Sequence, residues 1–154
     1  MSQANPKTQI RYRLATEEDR PAIENALVYA YEVARSTKDW VSSYSLEDKS
    51  TIASHILESD AIVIEDSYLF VYDIVDVWHS PRRALNELLC LRIYKTKATF
   101  EVVIQAMEEI ARDNNCFLIT VATALHHTND ELASRYKSFG FKPEEVRLYK
   151  TLKE

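Results

Sequence analysis

The sequence predicts a single α+β domain, a mixed and mostly antiparallel sheet with helices on both faces. Its 154 residues are the length of one ordinary domain. Its 46% hydrophobic and 28% charged residues are a globular balance. Stretches of period-two alternation and of helical spacing follow one another in the order β-α-α-β-β-β-α-β-α-β, an order that layers helices on a sheet. Residues 1–8 read as a flexible N-terminus and residues 9–154 as the domain.

Gln9–Leu14 alternates Ile10, Tyr12 and Leu14 against Arg11 and Arg13, a half-buried strand. Thr16 with Asp19 three residues on marks a helix start, and Pro21 fits only a first turn, which makes Asp19 a second candidate cap. Ile23, Ala26, Leu27, Ala30, Val33 and Ala34 then repeat at helical spacing. Trp40–Tyr44 reads as a linker, and Leu46, Ala53, Ile56 and Leu57 as a weaker helix. Ala61–Ile64 is a short strand, Glu65–Ser67 a turn, and Tyr68–Trp78 a long strand rich in β-branched and aromatic residues. After a loop at His79–Arg83, Leu85–Tyr94 is apolar over much of its length, as a central strand would be. Phe100, Val103, Ile104, Met107, Ile110 and Ala111 form a helical stripe with charged residues opposite. Cys116–Ala124 is a strand. Asn129 caps a short helix carrying Leu132, Tyr136 and Phe139, and Gly140 ends it in a left-handed turn. Val146–Thr151 reads as a final strand.

Composition narrows the function. Gly140 is the only glycine, where average usage gives about ten. Glycine-rich phosphate loops of the P-loop and dinucleotide types are therefore excluded. The net charge is −5 with basic residues scattered, which argues against nucleic acid as a partner. No apolar run reaches the ~20 residues of a membrane span. Cys90 and Cys116 sit in apolar runs with no metal-ligand spacing, and four histidines without regular spacing give no zinc site. Met1–Thr8 is polar and lacks the apolar core of a signal peptide, so the expected location is cytoplasmic, with reduced thiols.

The segment Asn129-Asp130-Glu131-Leu132-Ala133-Ser134-Arg135-Tyr136-Lys137-Ser138-Phe139-Gly140-Phe141 carries an asparagine, a tyrosine seven residues later, and Gly-Phe. It resembles the late segment of the GNAT acetyltransferase superfamily. Ile10-Arg11 and Ala15-Thr16-Glu17-Glu18-Asp19 are similar to the family's first strand and helix, and the resemblance extends over roughly residues 9 to 151. It implies the GNAT-like acyl-CoA N-acyltransferase fold. Active members carry Arg/Gln-x-x-Gly-x-Gly/Ala between the fourth strand and the third helix. The matching residues are Lys95-Thr96-Lys97-Ala98-Thr99-Phe100, with lysine first and both glycines replaced. In that loop, backbone N–H groups and the helix dipole face the pyrophosphate of an acyl-CoA. Glycine permits close approach. Ala98 is compatible if its φ is negative. Phe100 would put a benzyl group where phosphate oxygens rest, unless it is the first core residue of its helix.

By the same resemblance the cofactor is acetyl-CoA. Leu91, Arg92 and Ile93 would offer strand backbone to its pantetheine arm. Lys95, Thr96, Lys97, Ala98, Thr99 and Phe100 would hold its phosphates, and Asn129 belongs to the same binding set. Tyr136 would protonate the departing thiolate, and Glu87 would be the base that deprotonates an ammonium acceptor. Each has a plain alternative: Tyr136 as an amphipathic core residue, Glu87 as a strand-end carboxylate in water. Asp73 and Asp76 fall on opposite faces by odd/even counting. His126-His127 is either near the mouth of the site or a solvated loop pair. Trp40, Tyr44, Tyr29 and Tyr31 cluster around the first helix and its linker, where they would shape a substrate pocket, an interface or simply the core.

Two readings follow. One is an acyl-CoA-dependent N-acyltransferase acting on a small-molecule or protein amine. The other is a catalytically inactive GNAT-like scaffold that binds a protein partner; small glycine-poor proteins of this look, with an eroded phosphate loop, occur in tailed-phage genomes, so the second reading includes a phage-particle component. A homodimer is compatible with either.

Overall fold

The computed structural model describes residues 9–37, 48–121, 129–143, 150 and 152. Its elements are β1 (Tyr12–Leu14), a 3-10 turn (Glu17–Asp19), α1 (Arg20–Thr37), α2 (Lys49–Glu58), β2 (Ile62–Ile64), β3 (Tyr68–Asp76), β4 (Arg83–Arg92), α3 (Glu101–Asp113), β5 (Cys116–Thr120) and α4 (Asn129–Ser138). The strands form one sheet in the order β1-β2-β3-β4-β5. The first three pairings are antiparallel, and β4–β5 is parallel. A parallel pair needs a crossover, and α3 supplies it. The linker Trp40–Tyr44, Leu46, the end of the fifth predicted strand, His126-His127 and nearly all of Val146–Thr151 lie outside the described residues. Lys150 is described and is not in a strand.

Each face of the sheet has its own core. Ile62, Ile64, Phe70, Leu85 and Cys90 meet Val103, Met107 and Ile110 of α3 and Tyr136 of α4. On the other face Leu69, Val71 and Leu91 meet Ile23 and Leu27 of α1 and Ala53 and Ile56 of α2. The stripe read on α3 is the one it buries: Val103, Ile104, Met107 and Ile110 are all out of water. Burial of each such side chain stabilises the fold by roughly 1.5–3 kcal/mol.

The first strand is shorter than its alternation predicts. Ile10 packs against the core, but Tyr12 is 39% and Leu14 61% exposed. It lies at the edge of the described sheet, paired only with β2, so less packs over it. The helix start also differs. Asp19 accepts from the Thr16 N–H at 2.9 Å, as a capping box requires, but the turn it closes is 3-10, and α1 begins one residue later. The Glu65-Asp66 turn joins β2 to β3. Both residues have positive φ, 48° and 50°, and the Ser67 N–H donates to the Ile64 carbonyl at 2.9 Å. The two left-handed residues make the turn, and Ser67 is the third residue between the paired Ile64 and Tyr68. Arg11, just before β1, holds the Glu65 carboxylate, at 2.7 Å through its backbone N–H and 3.2 Å through its guanidinium.

Candidate active site

A bulge in β4 builds the site. Val71 of β3 pairs with Leu89 and Tyr72 pairs with Glu87, so Leu88 has no partner in the register. The extra residue changes which side chains share a face. Leu85 and Cys90 face α3, whereas Leu89, Leu91 and Ile93 face α1 and α2. Simple alternation would have put Leu85, Glu87, Leu89 and Leu91 together. Glu87 is 7% exposed, in mid-strand, which removes the reading of a strand-end carboxylate in water. The parallel register of β5 with β4 runs only from Arg83 to Asn86. From Leu88 to Arg92 that edge of β4 has no strand beside it among the described residues.

Tyr136 comes from α4. Gly140, at φ +94°, ends that helix. The Phe141 N–H donates to the Tyr136 carbonyl at 3.3 Å and the Gly140 N–H to the Lys137 carbonyl at 3.1 Å. This is the Schellman pattern, and its usual apolar contact is here a ring pair, Tyr136 and Phe141, with centroids 5.1 Å apart. The Tyr136–Gly140–Phe141 spacing thus locks the tyrosine from below. Phe100 packs edge-on from the other side at 5.2 Å. Tyr136 is 3% exposed. Burial, and to a lesser extent Cys90 and Glu87 nearby, push its phenol well above the usual tyrosine range, so it stays protonated at neutral pH. Burial likewise raises the Cys90 thiol, which keeps it a neutral packing group rather than a nucleophile. Tyr136 also forms part of the wall of a cavity of ≈ 830 Å³ between β5 and α4, beside Ile119, Val121, Phe139 and Phe141.

The loop from Lys95 to Phe100 joins β4 to α3. Among the described residues, only Glu65, Asp66, Asn115 and Gly140 have positive φ, so Ala98 and its loop neighbours need no glycine. The Ala98 N–H donates to the Thr96 hydroxyl at 3.0 Å, and that hydroxyl pairs with the buried Ser67 hydroxyl. The N–H groups of Thr99, Phe100 and Glu101 donate to nothing among the described residues, as the first donors of a helix do. The Phe100 ring is turned into the core, edge-on to Tyr68 at 6.2 Å as well as to Tyr136.

Glu87, Tyr136 and Phe100 therefore converge, and Lys95, Thr96, Lys97, Ala98 and Thr99 lie on the adjoining loop. Leu91 and Ile93 point to the opposite face, and the Ile93 N–H is taken by the Ser67 carbonyl at 2.9 Å, so it is not offered to a ligand. Asn129 begins α4. Asp73 and Asp76 are both exposed, and the unbroken register between them keeps them on opposite faces of β3. Two features had no signal in the sequence. One is the bulge at Leu88. The other is Arg92, whose side chain binds the carbonyls of the loop (Thr96 at 2.8 Å, Ala98 at 3.1 Å).

The fold is that of the GNAT-like acetyltransferases. An aminoglycoside acetyltransferase, HMB0005, from an uncultured soil metagenomic sample is similar over 95% of this chain and 100% of its own, at 12% identity and a TM-score of 0.57. A Trypanosoma brucei acetyltransferase matches over 94% and 100%, at 13% and 0.59. A mutant of the BH1408 protein from Bacillus halodurans reaches a TM-score of 0.69 at 14% identity, over 92% of this chain and 99% of that one. No family model matches the sequence, and no curated protein matches it. No helix among the described residues is long and apolar enough to cross a membrane.

Proposed function

We propose that this chain is an acyl-CoA-dependent N-acyltransferase that moves an acyl group to an amine. The observation that carries the reading is a buried carboxylate, Glu87, near a buried, protonated phenol, Tyr136, on the α3 face of the sheet. The loop is compatible with the cofactor because none of its residues has positive φ and, Ala98 apart, the N–H groups of Lys95, Lys97, Thr99 and Phe100 donate to nothing among the described residues. Acyl-CoA, when bound, supplies the activated acyl carbonyl and a thiolate leaving group. Lys95–Phe100 would hold its diphosphate through backbone N–H groups, with Lys95 and Lys97 adding positive charge. Glu87 takes a proton from the acceptor ammonium, directly or through water, and frees the amine to attack. Tyr136 keeps its proton at neutral pH and donates to the sulfur as the C–S bond breaks. A phenol raised this far above a thiol serves first as a hydrogen-bond donor to the developing thiolate. Holding amine and thioester in line supplies much of the remaining rate.

Titration calorimetry with acetyl-CoA tests the reading. Saturation at 100 times the dissociation constant adds about 2.7 kcal/mol of stability. No binding heat at millimolar acetyl-CoA overturns it. Tyr136→Phe removes only the hydroxyl, so binding should survive while turnover of an accepted amine falls by about 100-fold or more.

A further inference from the structure

We infer that Arg92 is the positioning residue of the loop between β4 and α3, doing with one guanidinium what glycines would otherwise do. The inference rests on the cofactor-binding reading of that loop. Arg92 donates through Nε to the Tyr94 carbonyl at 3.3 Å, and through one terminal nitrogen to the Thr96 carbonyl at 2.8 Å and the Ala98 carbonyl at 3.1 Å. Its other terminal nitrogen donates to the Tyr68 hydroxyl at 3.0 Å, and the guanidinium carbon lies 5.1 Å from the centroid of that ring. Tyr68 is buried, so the guanidinium is anchored to the core on one side and to the loop on the other.

The geometry of the peptide unit then sets the loop's outer face. No peptide among the described residues is cis. In a trans peptide the C=O and the following N–H point in opposite directions. Three carbonyls drawn to one guanidinium therefore turn the N–H groups of Lys95, Lys97 and Thr99 away from it. All three residues are exposed, and these N–H groups donate to nothing among the described residues. The result is a fixed outer face whose backbone donors point away from the guanidinium and are free to meet a ligand. Two further contacts fix its ends: the Tyr94 hydroxyl donates to Asp19 at 2.7 Å, and Thr96 pairs with Ser67. A lysine keeps the charge of Arg92 but not the planar fork that spans several carbonyls.

The test compares the parent with Arg92→Lys in two measurements. The first is backbone order of Lys95, Lys97 and Thr99 by nitrogen-15 relaxation, on the free protein. In the parent these order parameters should match the flanking strand, and in Arg92→Lys they should fall below about 0.6. The second is affinity for acetyl-CoA and for S-acetylpantetheine, which lacks the diphosphate. Arg92→Lys should weaken acetyl-CoA by roughly tenfold or more and leave S-acetylpantetheine unchanged. Unchanged loop order with unchanged acetyl-CoA affinity overturns the inference, and so does equal weakening of both ligands. If the parent itself fails to bind acetyl-CoA, the enzymatic reading falls, and the relaxation measurement alone decides the role of Arg92.

Discussion

Replacing Asp19 with asparagine removes one charge and leaves the volume of the side chain almost unchanged. Asp19 is 1% exposed, and both of its oxygens are saturated. Oδ2 accepts from Arg13 Nη1 at 2.8 Å and from the Thr16 N–H at 2.9 Å. Oδ1 accepts from Arg13 Nη2 at 2.9 Å and from the Tyr94 hydroxyl at 2.7 Å. An asparagine must present its NH₂ to one of these pairs of donors, whichever way it is flipped. The milder choice faces Arg13 and Tyr94, because the hydroxyl can turn and accept. Arg13 then loses one partner. Breaking a buried ion pair costs about 3–5 kcal/mol. The Arg13 side chain is 45% exposed and recovers water, which brings the expected loss to about 2–3 kcal/mol. The pH dependence gives the sharper check. The Arg13 guanidinium, with the Thr16 N–H and the Tyr94 hydroxyl, outweighs burial and holds the Asp19 carboxyl well below the usual carboxylate range. A depressed folded value stabilises the protein above the unfolded value, about 4, and that stability is lost as pH falls through the folded one. Urea unfolding should show the full gap between parent and Asp19→Asn at pH 7, narrowing steadily below pH ~4. A gap under about 1 kcal/mol at pH 7, or one that stays constant down to pH ~2, would refute the reasoning.

Two other substitutions probe the helix ends that frame the site. Gly140→Ala meets no atom within 4 Å of the added carbon, so its cost is the backbone alone at φ +94°. That cost should be about 1–2 kcal/mol in urea unfolding, and a loss of only a few tenths would show that the Tyr136–Phe141 lock tolerates another turn. Phe100→Ala removes a partly buried ring that lies edge-on to Tyr68 and Tyr136 beneath the Arg135 guanidinium. It should destabilise by about 2–3 kcal/mol, below the range for a fully buried phenylalanine, and should not improve acetyl-CoA affinity. A calorimetric gain in affinity with little loss of stability would mean that the ring obstructs the anion site.

Much of the site was legible where its cause is local. Gly140 was readable as a left-handed helix end because no other residue adopts that conformation so cheaply, and with it came the position of Tyr136. The face of α3 was readable because a period of 3.6 appears within a few turns. At Phe100 the sequence left two readings, an obstacle to phosphate or the first core residue of its helix, and the ring packs against the core. The burial of Glu87 was harder to read. Its burial depends on Leu88 dropping out of the ladder opposite the Val71/Tyr72 step, and no single-strand pattern records a pairing with another strand.

The sequence by itself determined the order of elements, the buried stripe of the long helix, the end of α4 at Gly140 and the position of the candidate phosphate loop. Each depends on φ preferences and periodicities set by near neighbours. Tertiary structure alone decided that Glu87 is buried and that the carbonyls of a loop without glycine are held by Arg92. Those outcomes depend on register across strands and on carbonyls meeting a guanidinium from the end of another element. Their free energies exist only once the sheet has formed.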